Sequence, residues 1–197
     1  MGFEYEWKFR ADREKLSGIL AAVPGQERHI AMQTTYFDTP TGELSALRCT
    51  LRTRLENGTC VCTLKTPAKG VGRSEWEIAC PSLKDAIDYF CRLQLPRELP
   101  ELLRKDLVAV CGARFDRITK TVLFEDCTLE LALDTGVLTG GGRELPFCEV
   151  EVELKSGSRE GCDRYASALA RQFDLQQEAK SKFRRALELK QWGVEPR

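Results

Sequence analysis

The sequence predicts an α+β fold, in which eight antiparallel β-strands close into a barrel, or tunnel, with helices packed outside. In the stretch FEYEWKFR, aromatic residues alternate with charged ones, which is typical of a strand with two different faces. Asn57-Gly58, between two strand-like runs, is the strongest short signal for a hairpin. Strands joined by hairpins or helical excursions favour an antiparallel sheet, and closing that sheet removes its exposed edges.

The individual elements are predicted from alternation, helix caps and turn residues. The predicted strands cover residues 3–10, 29–38, 48–56, 59–66, 73–80, 106–125, 128–135 and 146–155, the sixth being either one long strand or one interrupted at Cys111-Gly112. The predicted helices cover residues 12–22, 82–93, 98–105, 158–173 and 178–191. Residues 67–72 and the glycine run 140–142 are predicted loops. We expect residues 1–197 to form a single domain.

Composition excludes several classes of function. The 30 acidic and 30 basic residues cancel, which argues against a general nucleic-acid binder. No apolar run approaches a membrane span, and no signal-peptide core is present, so we expect a cytoplasmic protein that does not contact membranes. Nine cysteines without a CxxC pair are expected to be reduced core residues. His29 is the only histidine, so a Ser-His-Asp triad would have to use it.

Charges of one sign share strand faces in an unusual way. In the first strand Glu4 and Glu6 lie on the same face, followed by Lys8 and Arg10. The same phase recurs on other strands, with cations at Arg52, Arg54 and Lys65 and carboxylates at Glu75, Glu77, Glu130, Asp134, Glu149, Glu151 and Glu153. An ordinary solvated face more often mixes its signs.

Two architectures fit this pattern. A sheet could bury its apolar face under helices and show its charges to water, or a barrel could point its charges inward. Like charges in a walled cavity are costly unless a ligand neutralises them. A metal-complexed polyphosphate would satisfy carboxylates and cations together, and all-oxygen ligands favour Mg²⁺ or Mn²⁺ over zinc.

An ordered set of motifs resembles the CYTH superfamily, also called triphosphate tunnel metalloenzymes. Glu4-x-Glu6-x-Lys8 is similar to its ExExK signature. The remaining matches are Tyr36-Phe37-Asp38-Thr39-Pro40, Leu51-Arg52-x-Arg54, Leu64-Lys65, Arg73-x-Glu75, Arg117, Leu133-Asp134-x-Gly136, Glu149-x-Glu151-x-Glu153 and Ser181-Lys182. Together they span almost the whole chain.

The resemblance implies an antiparallel β-tunnel that uses Mg²⁺ or Mn²⁺. Members hydrolyse inorganic triphosphate or thiamine triphosphate, or convert ATP to cyclic AMP. The sequence looks closest to bacterial inorganic triphosphatases in which a CHAD domain follows the tunnel. Here the sequence ends soon after the predicted tunnel, so we expect no CHAD domain. We expect a monomer or a homodimer whose substrate is a triphosphate.

The resemblance also implies residue roles. Glu4, Glu149 and Glu151 would hold a first metal, while Glu6, with Glu75 or Glu153, would serve a second metal or the attacking water. Glu6, Glu151 and Lys8 are the expected catalytic residues. The residues expected to bind phosphate oxygens are Lys8, Arg52, Arg54, Lys65, Arg117, Lys182 and Arg185.

Several alternatives remain open. The same residues would serve a thiamine triphosphatase or a class IV adenylate cyclase, and a non-catalytic module that binds polyphosphate or nucleotides would keep the basic set. Cys111 and Arg117 have the C-x5-R spacing of cysteine phosphatases, but the following run ITKTVLF is typical of a strand. We predict inorganic tripolyphosphate as substrate, because no aromatic cluster lies on the charged faces.

Overall fold

The computed structural model describes residues 2–68 and 73–191. Residues 69–72 of the predicted loop and the side chain of Phe3 lie outside this description. The strands are β1 Gly2–Glu4, β2 Glu6–Arg10, β3 Arg28–Asp38, β4 Thr50–Glu56, β5 Thr59–Pro67, β6 Arg73–Ala79, β7 Val108–Phe124, β8 Cys127–Gly140, β9 Arg143–Ser156 and β10 Gln176–Gln177. The helices are α1 Arg13–Ala22, α2 Glu43–Ala46, α3 Leu83–Phe90, α4 Leu99–Leu103, α5 Arg159–Gln172 and α6 Lys182–Gln191.

All ten strands of the described chain form one antiparallel sheet, in the order β1-β6-β5-β4-β3-β7-β8-β9-β2-β10. β1 and β2 are two parts of the predicted first strand, separated only by Tyr5. β1 pairs with β6 and β2 pairs with β9, so this N-terminal strand touches both ends of the order. The sheet therefore curves into a tunnel, although its hydrogen-bond ladder does not close continuously. The predicted tunnel architecture is confirmed, with ten strand segments instead of eight.

Two apolar clusters cover the outside of the tunnel. α1 and α5 bury Ile19 and Cys162 against Val150 and Val152 of β9. α3 and α4 bury Phe90 and Leu103 against the outer face of β4 to β6. Because neighbouring residues of a strand point to opposite faces, this apolar outer layer leaves the charged side chains facing inward.

The last helix packs differently from the predicted outer helices. Ala186 and Leu189 of α6 form a third cluster with Ile30, Met32 and Phe115, whose strand phase is that of the inward-facing residues. The end of the β8–β9 hairpin accommodates this helix, because a Cβ atom on Gly140 would overlap the carbonyl oxygen of Ala186. The predicted glycine loop is thus a tight turn that receives α6, with φ values of 58° and 74° at Gly141 and Gly142.

Other differences are local. β8 continues to Gly140 and β9 begins at Arg143, so this hairpin is longer than predicted. β7 is continuous, and its pairing with β3 shifts register next to Cys111. All nine cysteines are unpaired thiols. Among the helices of the described chain, none has the length and apolar character required to span a membrane.

Candidate functional site

The curved sheet encloses a cavity of about 1090 Å³. Most residues that the sequence singled out line this cavity. They are Glu4, Glu6, Lys8, Arg52, Arg54, Lys65, Glu75, Arg117, Glu151, Glu153 and Lys182. Glu149 and Arg185 are not among the lining residues; Glu149 is fully buried, and Arg185 contacts it from α6. The strands therefore bring the two predicted sets of charges, acidic and basic, into one enclosed space.

Strand register explains how the charges come together. Lys8 of β2 lies opposite Glu151 of β9, and Glu6 lies opposite Glu153. Arg117 of β7 lies opposite Asp134 of β8, which in turn lies opposite Glu149. Directly paired residues on one face have neighbouring side chains, so the alternation seen in each strand becomes a continuous charged wall.

Lys182 is at the centre of a buried ion network. Its ammonium lies 2.8 Å from Asp134 and 2.7 Å from Glu151, and it also donates to Glu149. Arg117 donates two 2.7 Å hydrogen bonds to Asp134 and a further one to Glu151. Although burial disfavours the charged amine, the three carboxylates raise the pKa of Lys182. This lysine is therefore a cation held within a carboxylate cluster.

Two carboxylates of this network, Glu149 and Glu151, have pKa values shifted in opposite directions. Burial raises the pKa of Glu149 to about 7, which Lys182 and Arg185 offset only in part. Burial also acts on Glu151, but Lys182 and Arg117 outweigh it and hold the pKa of Glu151 well below its usual value.

Asp134 lies within one of the sequence motifs, but the sequence does not assign it a site role. Its phase on β8, opposite Arg117 and Glu149, is the signal that could have identified it.

A second group of ion pairs lies along the N-terminal strand. Lys65 donates to Glu4 and lies 3.5 Å from Glu75, while Lys8 donates to Glu6 at 2.7 Å. Burial, followed by the neighbouring charge of Glu151, raises the pKa of Glu6. The pKa of Glu4 is lowered, because Lys65 outweighs the effect of its burial. Glu4 and Glu6, two residues apart on the same strand face, thus have opposite tendencies to hold a proton.

Arg52 and Arg54 are less well neutralised than the lysines. Among the described residues, Arg52 pairs with a carboxylate oxygen of Glu75 at 3.9 Å, and Arg54 pairs with one of Glu56 at 3.8 Å. The buried Arg52 Nε has no hydrogen-bond partner among the described residues. Burial, and then the charge of Arg52, lowers the pKa of Arg54 to about 10. Buried guanidinium groups with spare donors are suited to binding the oxygens of a multiply charged anion.

The acidic residues fit a hard divalent cation. One ligand oxygen from each of Asp134, Glu149 and Glu151 lies within 4.8 Å of the others, so this cluster could hold a metal. The ammonium of Lys182 lies among these same oxygens and would compete with a metal there. Glu4, Glu6 and Glu153 line the cavity and add further carboxylate oxygens. An all-carboxylate donor set is typical of Mg²⁺ or Mn²⁺ sites.

Sequence reasoning missed an aromatic pair in the cavity wall. Tyr36 of β3 and Phe183 of α6 both line the cavity, with ring centroids 5.0 Å apart. The sequence predicts no aromatic cluster on the charged faces, and it could not place Phe183, because a docked helix has no strand-like alternation that would assign its face.

The C-x5-R spacing does not form a cysteine phosphatase site. Cys111 and Arg117 both lie on the continuous strand β7, instead of flanking a phosphate-binding loop before a helix. Burial raises the pKa of the Cys111 thiol to about 12, which disfavours a nucleophilic thiolate.

Comparisons with known proteins agree with this geometry. Residues 2–187 match the sequence profile of the CYTH domain. An inorganic triphosphatase from Haemophilus influenzae is 27% identical over 162 residues, which are 81% of this chain and 46% of that protein. The chain thus spans about half the length of this curated relative.

Solved structures show the same fold. An adenylyl cyclase candidate from Hippeastrum, described as having a dominant triphosphatase activity, aligns with a TM-score of 0.72 and 21% identity, covering 98% of each chain. A Pyrococcus horikoshii protein aligns with a TM-score of 0.66 and 21% identity, covering 95% of this chain and 99% of that one.

Proposed function

Since the chain belongs to the CYTH domain family, we propose that it hydrolyses inorganic triphosphate to pyrophosphate and phosphate inside its tunnel, using Mg²⁺ or Mn²⁺. The observation that carries this proposal is the enclosure of under-neutralised arginines and carboxylates within one cavity. The curated triphosphatase relative supports the choice of a hydrolase. We also propose a cytoplasmic location, because nine cysteines without a CxxC pair are typical of reduced core residues.

Arg52 and Arg54 bind the phosphate chain in this proposal, because they have few carboxylate partners. Further phosphate oxygens are bound by Lys8, Lys65 and Arg117. Each of them gives up a contact with a carboxylate and contacts a phosphate oxygen instead. Lys182 and Arg185 mainly hold the carboxylates in place, Arg185 from outside the cavity lining. Cations around the phosphate chain would stabilise the charge that shifts between oxygens as the terminal phosphoryl group is transferred.

Glu6 accepts the proton of the attacking water. Its pKa is raised by burial and by Glu151, so it retains more affinity for a proton than an exposed glutamate. Glu151 remains ionised beside Lys182 and Arg117, which suits a metal ligand. Glu4 and Glu151 are the proposed principal metal ligands, with Glu75 and Glu153 as further candidates. Glu149 does not line the cavity, so its ligand role requires rearrangement of the Lys182 contacts.

A divalent cation bound by these carboxylates would neutralise phosphate charge and lower the pKa of bound water.

Product analysis tests the proposal. The purified protein is incubated separately with tripolyphosphate, thiamine triphosphate and ATP at one fixed Mg²⁺ concentration, and orthophosphate, pyrophosphate and cyclic AMP are quantified. We expect orthophosphate and pyrophosphate from tripolyphosphate, with the highest kcat/KM of the three, and loss of turnover in excess chelator. Full turnover in chelator would exclude the metal, and cyclic AMP as main product would identify a cyclase.

A second candidate is an organic triphosphate as substrate. The Tyr36–Phe183 pair in the cavity wall favours it, because aromatic faces can contact a nucleobase or thiazole ring. Phe183→Ala separates the candidates. It should leave tripolyphosphate hydrolysis largely unchanged and raise the KM only of a substrate whose organic group contacts the pair.

A further inference from the structure

The N-terminal strand changes partner in the middle of its charged motif. Glu4 belongs to β1, which pairs with β6, whereas Glu6 and Lys8 belong to β2, which pairs with β9. Tyr5 lies between the two segments, and its carbonyl oxygen accepts a 2.9 Å hydrogen bond from the amide of Leu154. The backbone that carries these cavity residues is therefore held by a different neighbour on each side of Tyr5.

One carboxylate on the outer surface of the tunnel binds this crossing point. Asp163 of α5 accepts a 2.6 Å hydrogen bond from the Tyr5 hydroxyl and a 2.7 Å hydrogen bond from Trp7 Nε1. Both donors use the same carboxylate oxygen. The hydrogen bond to Asp163 is also the main reason that the pKa of Tyr5 is raised to about 12. Asp163 thus fixes the outward side chains on both sides of Glu6.

The helix that carries Asp163 is itself firmly placed. Ser158 caps α5 by accepting from the Gly161 amide at 3.1 Å and donates to Asp126 at 2.9 Å. Gly161 packs so closely on Cys127 that a Cβ atom there would overlap the sulfur. Cys162, next to Asp163, is fully buried. Asp163 is therefore a fixed point of the outer layer and not a mobile surface group.

We propose that Asp163 is a positioning residue that holds Glu4, Glu6 and Lys8 in the cavity by fixing Tyr5 and Trp7 outside it. Successive side chains of a strand point to opposite faces, so fixing Tyr5 and Trp7 sets the rotation of the backbone at Glu6. This role rests on the proposed function, because its consequence is the placement of groups that bind or activate the substrate. Small displacements of such groups cost large factors in rate.

The test compares Asp163→Ala with Asp163→Asn, which keeps an acceptor oxygen. We expect Asp163→Ala to lower kcat for tripolyphosphate roughly tenfold or more and to raise the Mg²⁺ concentration needed for half-maximal rate. Asp163→Asn should recover most of this loss. The combination Tyr5→Phe with Trp7→Phe should reproduce the Asp163→Ala defect, and adding Asp163→Ala to it should cause little further loss, because the three residues act as one unit.

Two controls on the same helix separate positioning from stability. Arg164→Ala removes an exposed ion pair with Glu125, and Leu169→Val makes a small change in the buried face. Both should leave kcat and the Mg²⁺ requirement unchanged, even where the melting temperature falls as far as in Asp163→Ala. Equal catalytic effects in Asp163→Ala and a control of matched melting temperature would reduce Asp163 to a structural role and overturn the proposal. An Asp163→Asn variant whose kcat is no higher than that of Asp163→Ala would also overturn the proposal.

Calorimetric binding of a non-hydrolysable imido analogue of tripolyphosphate, with Mg²⁺ present, provides a readout without turnover, and the indole N–H resonance of Trp7, assigned with Trp7→Phe, reports the hydrogen bond directly. A wild-type protein that binds this analogue but does not hydrolyse tripolyphosphate refutes the proposed function. The positioning role is then judged by the loss of affinity in Asp163→Ala relative to the controls. A wild-type protein that neither binds the analogue nor hydrolyses tripolyphosphate refutes both.

Discussion

Arg54 shows how a residue suited to ligand binding can lower the stability of the protein when no ligand is bound. Its side chain is buried, its Nε donates 3.0 Å to the Thr34 hydroxyl, and its guanidinium lies 5.7 Å from the ring centre of Phe115. The hydroxyl and the ring carry no full negative charge, and Glu56 approaches the guanidinium only to 3.8 Å. Burying a cation without a hydrogen-bonded anion is unfavourable, and the lowered pKa of Arg54 expresses the same cost.

We therefore expect Arg54→Met to leave the free energy of unfolding equal or higher, by on the order of 1 kcal/mol. The same change should raise the KM for tripolyphosphate about tenfold or more, since a charge-assisted contact is lost. Denaturant unfolding and initial-rate kinetics measure the two effects. Arg114→Met, which removes an exposed pair with Glu144, is the matched control and should change neither. A destabilised Arg54→Met with an unchanged KM would contradict this account.

Among the elements, α6 has the greatest influence on the cavity. It carries Lys182 into the carboxylate cluster, Phe183 into the wall and Ala186 onto the inner apolar cluster. Gly140 permits this docking because its missing side chain leaves room for the Ala186 carbonyl. The position of α6 thus depends on a glycine in a hairpin distant in sequence.

Gly140→Ala should displace α6 and lower the free energy of unfolding by roughly 1–3 kcal/mol, as overpacking usually does. Turnover should fall as well, because Lys182 moves with the helix. Gly18→Ala is the control: its Cβ would lie 3.5 Å from Phe173, an ordinary contact in the middle of α1, so it should be neutral or stabilising. Unfolding curves and activity are compared for both. Identical behaviour of the two variants would mean that the hairpin does not determine where α6 docks.

At the scale of the molecule, alternation along the strands predicted which side chains share a face, and the family resemblance predicted that this charged face points inward. Together they assigned Glu6, Arg52 and Glu151 to the cavity, because each belongs to a strand with one apolar and one charged face. Alternation could not place Phe183, since a helix on the inner face has no fixed phase relative to the sheet. Nor could it distinguish Glu149 from Glu151, because strand phase gives the face of a residue but not what covers it.

Binding should stabilise the whole molecule, because the cavity is built from strands at both ends of the sheet order. A non-hydrolysable imido analogue of tripolyphosphate, with Mg²⁺ and at about a hundred times its Kd, should add about 2.7 kcal/mol to the free energy of unfolding. For a chain of this size that corresponds to a rise in melting temperature of roughly 5–10 °C. Thermal unfolding with increasing ligand measures it. Chelator, or orthophosphate in place of the analogue, should abolish most of the shift, and an equal shift with orthophosphate would indicate nonspecific anion binding.

The N-terminal strand, paired with both β6 and β9, also has a consequence for folding kinetics. Tyr5 and Asp163 are 158 positions apart, so their contact requires closure of most of the chain. Contacts of such high sequence separation slow folding, because chain entropy is lost before they form. We expect strands β3 to β9 to assemble through their hairpins first, leaving edges on β6 and β9 open until the N-terminal strand arrives. The cavity-lining carboxylates Glu4 and Glu6 would then enter the cavity in one of the last steps of folding.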